Sequence, residues 1–448
     1  MRAFLEDLAR RGALEHVGVA LSPRYEVPYA MVWYDRRGGP ALQFDRVAGY
    51  DVPVVANLFG RRERIAWALG LDGPAALVEA TASLLSQPRP PVPATGPAPV
   101  QDVVNDRTPD LPGTLPVLTH HADDAYPYLT SAVAIGRDPD GGPRGVGIHR
   151  VAVKGPREIG IYLNNPPLGA FAARARERGE PLEVALVLGA SPAVTLASVV
   201  PVDPGEDKLA LAGALGGRAI PLARCRTLEV EVPADAEIVV ECVVYPGRRE
   251  PEGPFGETTG YYCTFESPVG EVRAITHRAR PLYHAFAPFS REVSELSSFS
   301  QELRHLPALR AEFPGVRRLR YKHLGGVAVV QLAKERQEDG LAVLRRVLEM
   351  GRGLKLAIAV DEDVDPEDDW LVEWAVATRA QPDRGLVVLT DQPLWSIDVV
   401  SQAVGRRSKL GIDATLPLAG RDRFRALTVP DAARRRVEKL LDNSQQTR

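Results

Sequence analysis

Apolar and polar residues alternate along the middle of the chain with the two-residue period that is typical of β-strands. Between residues 101 and 300, β-branched or alternating runs are separated by turn residues, and they include GVGIHRVAVK, EIGIYLN, LEVALVL, TLEVEVP, AEIVVECVVY and VRAITHRAR. Few helical patterns interrupt them, mainly AFAARARERG and the segment after Pro192. The pattern predicts a mixed sheet or a barrel-like β domain.

Both flanks of this region mix helical and strand patterns. In residues 1–86, RRERIAWALGL and PAALVEATASLLS have helical spacing, whereas VPYAMVWYD and VPVVANLF are predicted to be buried strands. In residues 301–448, the strand-like runs GVAVVQL, LKLAIAV and GLVVLTD alternate with the helical patterns LAVLRRVLEM and DDWLVEWAVATR. That alternation predicts a parallel sheet covered by helices, so the expected fold class is α/β, with α+β character in the centre.

A proline-rich stretch suggests where the first region ends. Residues 87–100 contain six prolines in fourteen positions, which excludes a helix or a central strand. We interpret the stretch as an extended connector. The predicted domains are therefore residues 1–100, 101–300 and 301–448, the first including the connector and the last ending in a helix.

Composition narrows the classes of function. The 448-residue chain has a net charge of −3 with both signs interspersed, unlike the basic stripe of a nucleic-acid-binding protein. Its three cysteines form no CxxC pair, which argues against a disulfide framework or a structural zinc site and favours the reducing cytoplasm. Residues 184–202 carry no charge, but Gly189, Pro192 and Pro201 divide them, so we predict a strand, a turn and a helix rather than a membrane span.

Two acidic residues stand out in the stretch EGPFGETTGYY, residues 252–262. Glu252 and Glu257 flank a Gly-Pro-Phe-Gly segment that is predicted to bend, so both carboxyl groups could converge on one pocket. Buried together they would repel each other, and one would retain a proton near neutral pH. The alternative is two solvated glutamates on a surface turn. Arg150, at the end of an alternating strand, and Lys409, in a glycine-containing loop, are weaker candidates for binding a carboxylate and a phosphate.

Taken together, these segments resemble the UbiD family of flavin-dependent decarboxylases. The resemblance covers nearly the whole chain and is carried by VVANLFGRRERIAWALG (54–70), DDAYPYLTSAV (123–133), GVGIHR (145–150), LGASPAVTLASVVPV (188–202), LEVEVPADAEIVVEC (228–242), EGPFGETTGYY (252–262), DWLVEWAVATRAQPDR (369–384) and SKLGIDAT (408–415).

The resemblance implies a fold, a cofactor and an activity. The fold is an N-terminal α/β segment, a central split β-barrel of the flavin-reductase type and a C-terminal α/β domain. The cofactor is prenylated FMN, which a separate flavin prenyltransferase supplies. The activity is the non-oxidative, in some members reversible, decarboxylation of aromatic or α,β-unsaturated carboxylic acids. The resemblance also implies a homodimer or a larger homo-oligomer.

The resemblance also assigns roles to individual residues. The family's catalytic Glu-Arg-Glu triad corresponds to Glu252, Arg150 and Glu257. It implies that Arg150 holds the substrate carboxylate and pairs with Glu252, while Glu257 protonates the carbon that loses CO₂. The implied cofactor-binding residues are Gly147, Ile148, Arg150, Asn164, Ser198, Val199, Val200, Pro201, Lys208 and Lys409.

At one point the chain departs from the family pattern. Family members bind the flavin phosphate through a metal held by Asn, His and Glu, whereas the corresponding residues here are Gly145, Asn164 or Asn165, and Lys208. An ammonium cannot bind a cation but can replace one. We therefore expect no metal, and we expect Lys208 to meet the phosphate directly. The alternative is that Lys208 lies on the surface and the site has decayed.

Two further functions remain open at this stage. One is an enzyme of the same fold that uses plain FMN, and the other is a non-catalytic flavin-binding protein. The sequence predicts no membrane span and no nucleic-acid partner.

Overall fold

The computed structural model describes residues 1–203, 205–425 and 427–445, and the side chains up to residue 441. Its N-terminal elements are α1 (Arg2–Arg10), β1 (Leu14–Val17), α2 (Glu26–Arg36), β2 (Ala41–Phe44), β3 (Val54–Ala56), α3 (Arg62–Ala68) and α4 (Leu77–Leu85). Strands β1, β2 and β3 form a small sheet that is completed by a later strand, β16 (Tyr283–His284). The N-terminal region is therefore joined to the end of the central region by strand pairing.

One predicted strand of this region is wrong. VPYAMVWYD, residues 27–35, belongs to helix α2. Its buried side chains include Val27, Met31 and Asp35, which are spaced by four residues and so share one helical face. A short apolar run rich in valine and aromatic residues does not distinguish a buried helix from a buried strand.

The central region is built mainly from strands. Its elements are β4 (Val92–Pro93), β5 (Val103–Asn105), α5 (Leu111–Thr114), β6 (Tyr128–Leu129), β7 (Val133–Gly136), β8 (Gly145–Ile148), β9 (Val151–Val153), β10 (Glu158–Ile161), α6 (Leu168–Arg178), β11 (Leu182–Leu188), α7 (Pro192–Val199), α8 (Lys208–Leu215), β12 (Pro221–Arg224), β13 (Glu231–Pro233), β14 (Ile238–Gly256), β15 (Tyr262–His277) and β16. Nine strands form one curled antiparallel sheet, ordered β6-β9-β10-β15-β14-β11-β7-β8, with β5 beside β15. This half-barrel confirms the expected β domain.

Both faces of the curled sheet are buried. Along β11, Ala185 and Val187 belong to one hydrophobic cluster, whereas Val184, Leu186 and Leu188 belong to another. Alternate side chains of a strand point to opposite faces, so each face of the sheet packs against its own core. This explains why LEVALVL is apolar at nearly every position rather than at every second one.

The proline-rich connector lies against the central region. Within it, β4 pairs in parallel with β12, and Arg89 donates a backbone hydrogen bond to the Ala210 carbonyl. The uncharged stretch 184–202 is divided between β11 and α7, as predicted. No helix in the described ranges has the length and hydropathy needed to cross a bilayer.

The C-terminal region alternates helices and strands: α9 (Arg291–Glu312), β17 (Val316–Lys322), β18 (Val327–Leu332), α10 (Asp339–Met350), β19 (Leu356–Val360), α11 (Asp369–Arg379), β20 (Leu386–Leu389), α12 (Val399–Val404), β21 (Lys409–Ala414) and α13 (Asp431–Gln445). The sheet order is β17-β18-β19-β21-β20, and its three inner strands are parallel. The predicted boundary at 300/301 falls inside the long helix α9.

Candidate active site

An irregularity in strand β14 brings the two glutamates to one face. Glu252 is paired with Phe265 of β15, and Phe255 is paired with Cys263, so three steps along β14 match two along β15. In a regular strand, residues five apart point to opposite faces. The one extra residue is a β-bulge, and it restores Glu252 and Glu257 to the same side. The Gly-Pro segment was predicted to be a turn, but it is this bulge, and the chain reverses only after Glu257.

Glycine is required inside the bulge. Gly253 has a φ of +125°, which residues with a side chain rarely adopt. A Cβ atom at this position would lie 2.6 Å from the carbonyl oxygen of Cys263. The residue types Gly-Pro between the glutamates therefore set the geometry of the acidic pair.

Arg150 lies between the two glutamates. Its Nε is 3.1 Å from Glu252 Oε1 and its Nη2 is 2.7 Å from Glu252 Oε2, which is the parallel two-bond geometry of an Arg–carboxylate pair. Its Nη1 donates to Glu257 Oε2. The side chains of Arg150, Glu252 and Glu257 are 7%, 0% and 9% exposed. The structure therefore brings together all three predicted catalytic residues in a nearly dry cluster.

Aromatic rings enclose the guanidinium group. The Arg150 Cζ lies 4.6 Å from the ring centre of Tyr162, 4.7 Å from that of Phe255 and 5.2 Å from that of Phe265. Burial alone would favour the neutral form, but Glu257 and Glu252 outweigh it and raise the pKa of Arg150 above its ordinary value. Arg150 is thus a permanent cation with a fixed orientation.

The cluster opens on a cavity of about 980 Å³. Arg150 and Glu257 line it, together with Gly147, Ile148, Asn164, Ser198, Val199 and Pro201, which the sequence assigned to cofactor binding. The C-terminal region supplies the opposite wall through α9, the turn at Leu324, residues 350–353 and the loop Trp395–Ile397. That loop touches the site directly, because Thr259 donates to the Ile397 carbonyl at 3.2 Å.

Lys208 also lines the cavity, at the first residue of helix α8. Its ammonium donates to the Ser198 carbonyl at 2.7 Å, the side chain is buried, and no carboxylate in the described part of the chain pairs with it. Burial lowers the pKa of Lys208 to about 8. A buried ammonium with one carbonyl partner retains two free donors, and it is therefore suited to bind an anion in the cavity.

His149, the neighbour of Arg150 in the sequence, lines the same cavity, although adjacent residues of a regular strand would point to opposite faces. The two residues fall between β8 and β9, where the regular strand is interrupted, so alternation does not apply. Its Nδ1 is 2.9 Å from the Tyr162 carbonyl. Burial, together with the nearby charge of Lys208, lowers the pKa of His149 to about 4, so the ring is neutral at physiological pH.

The positions that correspond to the family's metal ligands differ from a metal site. A Cβ atom at Gly145 would lie 2.7 Å from the Phe171 side chain and 2.8 Å from that of Leu168, so packing against α6 fills this space. Asn164 and Asn165 line the cavity. In the described residues, no group of three or more His, Cys, Asp or Glu side chains is arranged to hold a metal ion.

Two predicted cofactor residues do not line the cavity. Val200 packs in the hydrophobic core, whereas its neighbours Val199 and Pro201 line the cavity. The ammonium of Lys409 donates to the carbonyls of Leu348 and Gly351 at the end of α10, where the helix dipole favours a cation. Lys409 therefore lies behind the cavity wall and supports residues 350–353 rather than the cavity itself.

Sequence reasoning missed the cavity residues of the C-terminal region. Leu324 has a positive φ of 61°, and its backbone is held by the Ser294 hydroxyl at 3.1 Å. The dipeptide Gly325-Gly326 was the only local signal of an unusual turn. Trp395 lies two residues after Pro393 in a loop, and no pattern indicated that this loop reaches the cavity of the central region.

Comparison with known families gives matches over most of the chain. Three domain models of 3-octaprenyl-4-hydroxybenzoate carboxy-lyase match: the N-terminal domain over residues 5–84, the Rift-related domain over residues 92–290 and the C-terminal domain over residues 295–414.

Solved structures of the same class are similar. The UbiD-class enzyme HmfF from Pelotomaculum thermopropionicum, in complex with FMN, is 38% identical, with a TM-score of 0.92 over 96% of this chain and 97% of that one. An evolved dimeric form of that enzyme, in complex with prFMN, is 37% identical, with a TM-score of 0.87 over 96% of each chain. Vanillic acid decarboxylase from Sedimentibacter hydroxybenzoicus is 27% identical, with a TM-score of 0.87 over 99% of this chain and 98% of that one.

Proposed function

Because the chain belongs to the UbiD family of carboxy-lyases, we propose that it decarboxylates an aromatic or α,β-unsaturated carboxylic acid with prenylated FMN. The observation that carries the proposal is the position of Arg150, between two buried glutamates at the wall of a large cavity. A structural ion pair would not need a second carboxylate or access to a cavity.

The three residues have different tasks in the proposed reaction. Glu252 accepts hydrogen bonds from Nε and Nη2 of Arg150, and these two bonds fix the plane of the guanidinium group. Nη1, which contacts Glu257, is the donor available to a substrate carboxylate. When the C–C bond to CO₂ breaks, its electron pair stays on the substrate carbon, and Glu257 delivers the proton that replaces CO₂. The same steps in reverse would carboxylate the product.

The cavity has the features that a flavin nucleotide requires. We propose that the Lys208 ammonium, at the N-terminus of α8, holds the phosphate in place of a metal, and that Gly147, Asn164 and Ser198 border the cofactor. Prenylated FMN would supply the electron sink for the bond that breaks. The protein would contribute a cation for the substrate, a proton donor and a largely apolar cavity wall.

The proposal extends to partners and location. A flavin prenyltransferase would supply the cofactor, and the chain would form at least a homodimer, as one similar enzyme is dimeric. Cys225, Cys242 and Cys263 are all free thiols, which suits a cytoplasmic enzyme.

The first experiment identifies the cofactor. The protein is co-expressed with a flavin prenyltransferase, and its absorbance spectrum and the mass of the released cofactor are recorded. Prenylated FMN, together with CO₂ release from members of a carboxylic-acid panel, would support the proposal. Plain FMN would favour a different enzyme of this fold, and colourless protein would favour a non-catalytic role.

A second experiment tests proton delivery. Glu257→Gln should lower decarboxylation and substrate H/D exchange by roughly 10²–10⁴-fold, because the amide has no proton to transfer. The control is Glu266→Gln, an exposed glutamate on the same hairpin. Wild-type exchange in the Glu257→Gln protein would show that another group moves the proton.

A further inference from the structure

The segment DDAYPYLTSAV, residues 123–133, has no role in the reaction described above, yet it begins against the acidic hairpin. The side chain of Asp124 is completely buried. Its Oδ2 accepts hydrogen bonds from the backbone N–H groups of His120 and His121, at 3.0 and 2.8 Å. Its Oδ1 accepts one from the backbone N–H of Gly256, at 2.8 Å. A single carboxylate therefore joins a loop to the residue that precedes Glu257.

Neighbouring contacts join the same two segments. Ala125 donates a backbone hydrogen bond to the Pro254 carbonyl at 2.8 Å, and the Asp123 N–H donates to the Tyr262 hydroxyl at 3.2 Å. Further along, Tyr128 packs on Phe255, with ring centres 4.4 Å apart. The segment thus lies along the hairpin from Pro254 to Tyr262, on the arm and turn that carry Glu257.

Near Glu257 the hairpin is otherwise held by side chains: Glu257 pairs with Arg150, and the Thr259 hydroxyl donates to the Ile397 carbonyl. Beyond Gly256 the chain makes the turn Glu257–Tyr261, whose backbone bonds are internal: Glu257 N–H to the Tyr261 carbonyl and Gly260 N–H to the Glu257 carbonyl, each 2.9 Å. These bonds shape the turn but do not fix it to the rest of the protein. The bond from Gly256 to Asp124 does, one residue away from the proposed proton donor.

The hydrogen bonds around Asp124 fit its ionised, carboxylate form. Burial opposes ionisation of Asp124, but hydrogen bonds from His121 and from the Gly256 backbone outweigh it and lower its pKa. All three backbone partners are donors, so both oxygens must be acceptors. An asparagine would turn an N–H₂ group towards at least one of those donors.

We propose that Asp124 is a positioning residue that holds the Gly256–Glu257 backbone and thereby places the Glu257 carboxyl group against Arg150 and the substrate. This inference rests on the proposed function of Glu257 as the proton donor. It gives a buried aspartate that does not line the cavity a task in the proton-transfer step.

The test combines a backbone measurement with kinetics. Asp124→Asn is compared with Asp339→Asn, because Asp339 also accepts two backbone N–H groups, from Glu335 and Arg336, but at the start of α10. Amide hydrogen exchange followed by mass spectrometry should show faster exchange in the peptide 252–262 for Asp124→Asn only. In cofactor-loaded enzyme, kcat should fall about tenfold for that variant, with KM and cofactor affinity unchanged.

Each result has a distinct meaning. Unchanged exchange in the hairpin of Asp124→Asn, or faster exchange with an unchanged kcat, would overturn the positioning role. If the wild-type enzyme released CO₂ from no acid, the proposed function would fail, whereas hydrogen exchange would still show whether Asp124 holds the hairpin. If Asp124→Asn did not fold, Tyr262→Phe, which removes the acceptor of the Asp123 N–H, should give smaller changes in the same direction, and no change would contradict the proposal.

Discussion

In the described part of the molecule, two networks of arginine and glutamate differ in their access to the cavity, and only the first borders it. The first is the Arg150–Glu252–Glu257 cluster. The second contains two arginines and three glutamates, Arg62, Arg320, Glu295, Glu302 and Glu367. With full ionisation, each network carries a net charge of −1, so charge balance does not distinguish them.

The second network links elements that are distant in the sequence. Arg320, on β17, contacts Glu367 at 2.7 Å, Glu295 at 2.7 Å and Glu302 at 3.0 Å. Arg62, on α3, reaches Glu302 at 2.8 Å. These contacts join the N-terminal region, α9 and the turn before α11. Within the described residues, none of the five side chains lines the cavity.

Both networks pair arginine with glutamate, so ion pairing does not identify the catalytic cluster. The difference is that the residues of the catalytic cluster are accessible from the cavity. In the first network, Nη1 of Arg150 and the Glu257 carboxyl face a space that a substrate could occupy. In the second network, each of the three nitrogens of Arg320 donates to a glutamate, and Nη1 also donates to the Tyr321 carbonyl. The motif EGPFGETTGYY indicated the first network, whereas no pattern in the sequence indicated the second.

The largest effect should come from changing the arginine of the first network. Arg150→Lys keeps the charge, but an ammonium cannot form the paired bonds to Glu252 while also reaching Glu257. We expect kcat/KM for decarboxylation to fall roughly 10³-fold, or ~4 kcal/mol in transition-state stabilisation. Thermal unfolding should change little. Wild-type kinetics in the Arg150→Lys protein would show that decarboxylation does not depend on the two parallel bonds from Arg150 to Glu252.

The next effect should appear in stability rather than in activity. Arg320→Met leaves Glu295, Glu302 and Glu367 with Arg62 and the more exposed Arg318, and removing one partner of a buried ion network costs ~3–5 kcal/mol. The measurement is the free energy of unfolding in denaturant, with decarboxylation per folded molecule retained. Arg317→Met, which removes an exposed arginine that pairs with Glu362 outside the network, is the matched control and should cost less than ~1 kcal/mol.

The smallest effect concerns pH and the cofactor. The Lys208 pKa is lowered to about 8 in the protein without cofactor, and a bound phosphate would raise it again. Binding therefore takes up a proton above pH 8, so FMN affinity should fall by up to tenfold per pH unit from that point. Fluorescence titration of FMN measures this.

The control for the pH effect is Lys208→Met, in which the dependence should disappear and the affinity should be lower throughout. Folding without cofactor should show the opposite dependence on pH. Below pH 8 the protein bears the cost of a buried charge, and stability should rise as pH increases through 8 towards the unfolded-state pKa of 10.5. Equal pH profiles for the two proteins would exclude Lys208 from the phosphate site.

Much of the architecture could be predicted from the periodicity of the chain. The strand runs of the central region and the alternation of β18, α10 and β19 were identified because each has a period that only one kind of element produces. Helix α2 was missed because a run of nine residues is too short to separate the two periods. The long helix α9 was missed because its pattern is interrupted by polar residues that face the cavity and the second network.

The site was predictable only in part, and for a different reason. The identities of Arg150, Glu252 and Glu257 followed from the family resemblance, but their convergence depends on the bulge at Gly253-Pro254, which is visible only from the strand register. The location of Lys409 behind the cavity wall depends on the end of α10, 58 residues earlier in the chain. Local sequence does not contain such long-range placements.

The bulge makes the backbone between the glutamates as important as their identity. A regular strand of the same length would pair with β15 residue for residue, and Glu257, five residues after Glu252, would then face the opposite side of the ribbon from Arg150. Both carboxyl groups could survive such a change while the catalytic geometry is lost. The conformation that Gly253 permits is therefore as much a part of the active site as the carboxylates themselves.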